Sequence, residues 1–289
     1  DFTIEKFREG VTLEYDTLQA DLDRLSNYYF IYRNGKLMFR PKILASAIYF
    51  NKDFLYSQEN HRKTISQLAN LGAFRFVDVK FRPVNDTSSG NNYLDAIIQL
   101  TPAKRQSIGF ETEVSNSTDY LLGLSAGLSY SNRNTFRGAE LFRLSVVGGL
   151  ESNLLSGADF FNTVDLTADA SLTFNQFLVP FKLKKLTRSA RPKSILSLKY
   201  NFLHRIEFYS IHSTTLSFGY QWQAKQTMQH TYNPVALSLV QVKEISQEFR
   251  ERINESIFLR NSFSEQFILT VRIKFLGPFY SNLKTNKQQ

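Results

Sequence analysis

The 289-residue chain has no cysteine, which excludes disulfides, thiolate nucleophiles and cysteine-based metal sites. Its four histidines, His61, His204, His212 and His230, are scattered, and none has a helical partner at the i+4 spacing of paired metal ligands. No run of about 18 apolar residues exists, so no helix reads as a membrane span. At 42% hydrophobic residues and a mean hydropathy of -0.28, the chain is too polar for a helical membrane protein. No signal peptide is legible at Asp1: either the chain starts as a mature fragment or its export is not readable. A formal charge of +9 favours anionic surfaces, whether lipid headgroups or nucleic acid, and charge alone chooses neither.

What is abundant is aromatic side chain, 26 Phe and 14 Tyr, together with alternation. From Val164 to Phe174, Val164, Leu166, Ala168, Ala170, Leu172 and Phe174 interleave with Asp165, Thr167, Asp169, Ser171 and Thr173. Side chains on a strand point alternately to opposite faces, so this segment has one apolar and one polar face. Tilted, it covers roughly 25 Å, the height of the apolar band of an outer-membrane barrel. The pattern recurs at Leu122–Tyr130, Phe142–Val146, Leu196–Phe202, Leu216–Trp222, Val235–Leu239 and Phe267–Phe275, and Ile108, Phe110 and Val114 precede them. That predicts about eight strands between Arg105 and Phe275, with a polar face suited to a lumen. A half-buried sandwich strand carries the same alternation, and composition leaves the two open.

Earlier in the chain, Asp16 can cap a helix over Thr17 to Ser26, with Leu18, Leu22 and Leu25 on one face, and Tyr28 to Tyr32 reads as a strand ending at Asn34-Gly35. Residues 1–35 are too few to bury a core and read as part of a larger preceding module. Residues 36–102 read as a small α/β module: a strand near Leu37 to Phe39, a helix opened by Pro41, and a second helix capped by Ser57 and ended by Gly72. A hairpin of Val77–Phe81 and Leu94–Leu100 follows, closed by Pro102.

Several patterns imitate chemistry. Gly123-Leu124-Ser125-Ala126-Gly127 matches a nucleophile elbow, but alternation runs straight through it where that motif needs a sharp strand-to-helix turn. Glu111 with Glu113, and Asp165 with Asp169, could pair as glycosidase carboxylates, yet on a lumen face they are ordinary solvated charges. The tract Lys182, Lys184, Lys185, Arg188, Arg191 and Lys193 suits a solvated loop, a lipid interface behind Phe177, Leu178, Val179 and Phe181, or a nucleic-acid patch.

Tyr56-Ser57, Thr64–Leu68, Leu71-Gly72-Ala73-Phe74 and Val77-Asp78-Val79 resemble the last POTRA domain of the BamA/TamA superfamily of outer-membrane assembly factors. Leu100-Thr101-Pro102 resembles its exit into a surface-antigen-type barrel, and Asn132–Glu140 the turn after the second barrel strand, with wording similar to the TamL branch. The resemblance covers residues 36 to 275 and implies a mainly β chain. Its parts would be a partial preceding POTRA-like unit (1–35), the last POTRA domain (36–102) and the N-terminal half of a transmembrane antiparallel β-barrel (103–289) of about sixteen strands in all. It implies outer-membrane localisation with the POTRA domain in the periplasm. The function would be protein assembly and insertion, as in a translocation and assembly module, without catalysis, cofactor or metal. Implied partners are unfolded outer-membrane clients, outer-membrane lipid and an inner-membrane-anchored TamB-like protein, but no nucleic acid.

On that reading the first barrel strand, with Arg105, Ile108, Gly109, Phe110, Glu111 and Val114, is the lateral gate that meets clients by strand addition. Leu71, Gly72, Phe74, Pro102, Gly138 and Glu140 form the structural motif joining module and barrel. The turns near Asn132, 175–193 and Lys225 fall at one end of the strands, and those near Ser115, Ser156 and Phe208 and the helix-bearing segment Val242–Ser264 at the other. The alternative reading is a soluble, secreted β-rich enzyme or carbohydrate-binding protein with the same strands packed as a sandwich or soluble barrel.

Overall fold

The computed structural model describes residues 2–5, 16–19, 28–32, 37–50, 55–85, 92–117, 122–152, 161–179, 190–225 and 228–276. The turn at Asn34-Gly35, most of the hairpin turn 85–92, and Phe181, Lys182, Lys184, Lys185 and Arg188 lie outside them.

The first unit combines β1 (Phe2–Glu5), β2 (Asp16–Gln19), β3 (Tyr29–Tyr32), α1 (Pro41–Ser46), α2 (Gln58–Asn70), β4 (Phe74–Asn85) and β5 (Asn92–Pro102). All five strands form one sheet in the order β2-β3-β1-β5-β4, so segments on both sides of residue 36 share it. The helix expected from Thr17 does not begin there. Asp16 to Gln19 is a strand paired with Tyr29 to Tyr32, because ladder hydrogen bonds to a β-rich partner outweigh a three-leucine helical stripe. Leu37 to Phe39 is bent chain rather than strand, with Leu37 and Phe39 buried. Pro41 does occupy the first turn of α1, and the Ser57 hydroxyl accepts from the Asn60 N–H at the start of α2. Gly72 ends α2 at φ +67°, the left-handed conformation that lacks steric cost only for glycine. Phe30, Phe39, Leu44, Ile48, Leu68, Ile98 and Leu100 are the centre of the core.

The second unit is an antiparallel sheet of eight strands: β6 (Gln106–Ser115), β7 (Leu122–Asn132), β8 (Leu141–Ser152), β9 (Thr163–Phe174), β10 (Lys193–Arg205), β11 (Tyr209–Lys225), β12 (Met228–Lys243) and β13 (Gln266–Leu276). Between β12 and β13 lie α3 (Gln247–Glu255) and α4 (Ile257–Ser262). Phe249 of α3 and Phe263, which follows α4, gather with Phe208 and Tyr209 into an aromatic cluster over the β10–β11 turn. The register puts Leu128, Val146, Ala168, Tyr200 and their alternates on one face, and Ser129, Ser145, Asp169 and Lys199 on the other. Among the described residues nothing covers the apolar face: even central Leu144, Leu166 and Leu198 are 39%, 38% and 48% exposed.

The sheet is not a barrel. Strands pair in the order β13 to β6, and among the described residues β6 bonds only to β7 and β13 only to β12. Alternation fixes which face each side chain takes, but closure needs the two terminal strands to meet, and among the described residues they do not. The expected transmembrane barrel behind a POTRA domain is therefore corrected to a mostly β chain with an open sheet and a few short helices. Outer-membrane localisation, with the α/β module in the periplasm, is corrected with it. A strand edge in hydrocarbon leaves N–H and C=O groups unsatisfied, which is why lipid admits only sheets that close. Separately, no described helix is long and apolar enough to cross a membrane.

Candidate functional site

The edge strand β6 carries five of the six residues singled out as a gate, and Arg105 stands immediately before it. In an antiparallel ladder alternate residues aim their N–H and C=O away from the partner strand, so from Gln106 to Val114 β6 presents a row of donors and acceptors that no other described strand pairs. On its apolar face Ile108, Phe110 and Val114 are 78%, 67% and 71% exposed, well above the central strands. On its polar face stand Glu111 and Glu113. Gly109 lies against Ser129, whose hydroxyl would sit 2.6 Å from an added Cβ. No proline or lysine, the usual guards of an exposed edge, interrupts β6. The opposite edge, β13, repeats the design with reversed charge. Phe267, Leu269, Val271, Ile273 and Phe275 are at least 60% exposed, and Arg272 and Lys274 take the polar face.

At the foot of β6 the two units meet through the β7–β8 turn. The buried Glu140 carboxylate accepts from the N–H groups of Phe136 (3.0 Å) and Gly138 (2.9 Å), and Asn134 Oδ1 accepts from Ala139 N–H at 3.1 Å. These bonds hold Arg137 and Ala139 at φ +67° and +57°, conformations non-glycine residues rarely adopt. The turn then docks on the α/β unit: Arg137 Nη2 donates to Leu37 O at 2.6 Å and Asn134 Nδ2 to Met38 O at 2.8 Å. Asn175 Nδ2 bridges Leu71 O (3.2 Å) and Ala139 O (2.6 Å). Phe74 pairs with Pro102 beside them. The predicted joining residues Leu71, Gly72, Phe74, Pro102, Gly138 and Glu140 thus gather at one junction. Asn134 and Arg137 stand in the Asn132–Glu140 motif, but their ties to Met38 and Leu37, 96 and 100 residues away, are not readable from it, and Asn175, 104 residues from Leu71, gave no sequence signal.

At the junction opens a cavity of about 350 Å³, lined among the described residues by Leu37, Met38, Arg105, Asn134 and Arg137. Further along the same end of the sheet, Arg191 Nη2 donates to Ser66 Oγ on α2 and Nη1 to Gln223 Oε1. Lys193 is held below the ordinary lysine range by burial, then by the neighbouring charges of Arg143 and Arg191.

The patterns that imitate chemistry stay apart or turn structural. Ser125 sits mid-strand in β7 opposite Glu113 and Gly149, with no bend. Asp165 lies over Gly149, where a Cβ would come 2.1 Å from its carboxylate. A cluster that alternation does not foreshadow joins Ser210, His204 and Glu244: the Ser210 hydroxyl donates to the Glu244 carboxylate and lies 2.8 Å from His204 Nδ1. A nucleophilic triad has histidine in the middle and an accessible serine, whereas here the serine is central and fully buried. The cluster ties β10, β11 and the end of β12 together. Among the described residues, no three His, Asp or Glu side chains gather as metal ligands.

No family model and no curated protein matches the chain. It is the open sheet that overturns the resemblance to the BamA/TamA superfamily and the insertion function drawn from it. The motifs have local explanations: Asn132–Glu140 is shaped by the Glu140 and Asn134 bonds, and alternation belongs to any antiparallel sheet with one apolar face.

Proposed function

We propose that the chain is a β-rich binding protein that takes up a strand of a partner polypeptide on the free edge of its large sheet, without covalent chemistry. The observation that carries this reading is β6, paired among the described residues on one side only, with three large apolar side chains at least two-thirds exposed. Strand addition supplies main-chain hydrogen bonds for affinity and side-chain alternation for choice of partner. Apolar residues opposite Ile108, Phe110 and Val114, and basic residues opposite Glu111 and Glu113, define the strand that fits. β13 by the same rule suits an apolar strand with acidic alternates.

A peptide with the sequence Gln266–Leu276 has the chemistry β6 calls for and serves as probe. Adding it should protect the outward amides of β6 from hydrogen exchange, and Glu111→Lys should weaken binding about tenfold while an acidic version of the peptide restores it. Unprotected β6 amides at saturating peptide would sink the reading.

A second reading, carbohydrate binding, is favoured by the polar face, where hydroxyl pairs Ser107–Ser131, Ser197–Ser217 and Thr215–Ser238 and the bond from Asn201 Nδ2 to Thr167 Oγ1 make a polar lattice. Glycan binding lost on Asn201→Leu, with β6 unprotected by peptide, is the result that selects it.

A further inference from the structure

From the cavity at the foot of β6 we infer a second binding site, independent of strand addition, for an oxyanion on a short apolar stem: a carboxylate or a phosphate monoester. Both charged residues lining it among the described residues, Arg105 and Arg137, are cations. Among the described residues, neither forms an ion pair. The buried acid of the same turn, Glu140, is committed to the backbone of Phe136 and Gly138 and does not line the cavity.

Arg137 is fixed in place rather than free. Its carbonyl accepts from Arg40 N–H at 2.6 Å, its Nη2 is held by Leu37 O, and its backbone is strained at φ +67°. A non-glycine residue kept in that conformation by surrounding bonds is the kind of strain that accompanies binding sites. A guanidinium carries five N–H donors in a rigid fork, so with one used on Leu37 the others remain for an oxyanion. Arg105 brings a second cation from the sheet unit. Leu37 and Met38 form the apolar wall, and about 350 Å³ suits a small organic anion.

The test uses the whole chain titrated calorimetrically with octanoate, octyl phosphate, inorganic phosphate and 1-octanol at one ionic strength. Octanoate or octyl phosphate should bind saturably, the tighter of the two naming the oxyanion, with inorganic phosphate and octanol at least about tenfold weaker. Octanol also controls for adsorption of alkyl chains on the uncovered sheet face. Arg105→Gln should weaken the anion about tenfold and leave octanol unchanged. Met38→Glu, which places a carboxylate in the cavity, should abolish anion binding even if the first variant folds poorly. Absence of anion binding, octanol binding equal to octanoate, or undiminished binding by Met38→Glu overturns the site.

Discussion

At the scale of single residues, two glycines are required for different reasons, and only one of those reasons was legible. Gly72 follows a capped, amphipathic helix, so a left-handed terminus was readable from order alone. Nothing lies within 4 Å of a Cβ built there, so Gly72→Ala should cost only backbone strain, about 1 kcal/mol. Gly138 has no positive φ; its constraint is the Glu140 carboxylate, 2.2 Å from a built Cβ. That carboxylate is buried and fixed by two N–H groups, so it cannot yield without losing charge-assisted bonds. Gly138→Ala should therefore cost more, about 2–3 kcal/mol. Urea denaturation of the two variants measures the difference, and an equal or reversed order would show that the turn adapts. Glu140 could be placed in a motif from sequence, but its pairing inside its own turn depends on backbone conformations that no residue pattern displays.

Elements were legible where the period was unbroken. Val164 to Phe174 became β9 because alternation and β-propensity agreed, and Ser57, Pro41 and Gly72 marked helix ends by local chemistry. Asp16 to Gln19 misled because its leucine spacing satisfied a helix while its strand partner lay ten or more residues on, and pairing with β3 decided the outcome. At the start of β10, Lys193 shows an element carrying a cost. Its folded pKa is lowered by burial and then by Arg143 and Arg191, so between that value and the ordinary lysine range the unfolded chain binds more protons. Stability should therefore rise as pH climbs through this alkaline window. Lys193→Met, which keeps the stem and deletes the charge, should raise stability at neutral pH and flatten that rise. Denaturation midpoints between neutral pH and the ordinary lysine range test it; a Met variant with the parent's pH slope would mean Lys193 is not its source.

For the whole molecule, the eight strands and their faces could be read, but not whether the sheet closes. Curvature and the meeting of terminal strands are properties of the ensemble of ladders, which short motifs do not encode. The relation between the two units was equally hidden, since polar ties of long sequence separation make it. Arg137 to Leu37, Asn134 to Met38, Asn175 to Leu71 and Arg191 to Ser66 join a module with its own buried core to a sheet with none on its apolar face. Interfaces of this kind couple folding through few bonds, each worth about 0.5–1.5 kcal/mol, so removing two should separate the units. Asn175→Ala deletes the bridge to Leu71 and Ala139, and Arg137→Gly deletes the tie to Leu37 while leaving φ +67° to a residue that tolerates it. Trp222, the chain's single tryptophan, lies in β11 and reports on the large sheet by fluorescence, whereas helical circular dichroism comes in larger part from α1 and α2 of the α/β unit and in smaller part from α3 and α4 beside the sheet. The two probes should unfold together in urea for the parent chain and apart for the double variant, with the α1 and α2 share of the helical signal persisting past the loss of the Trp222 signal. Coincident transitions in the double variant would place the coupling elsewhere, in the apolar contact of Ala139 with the module's core.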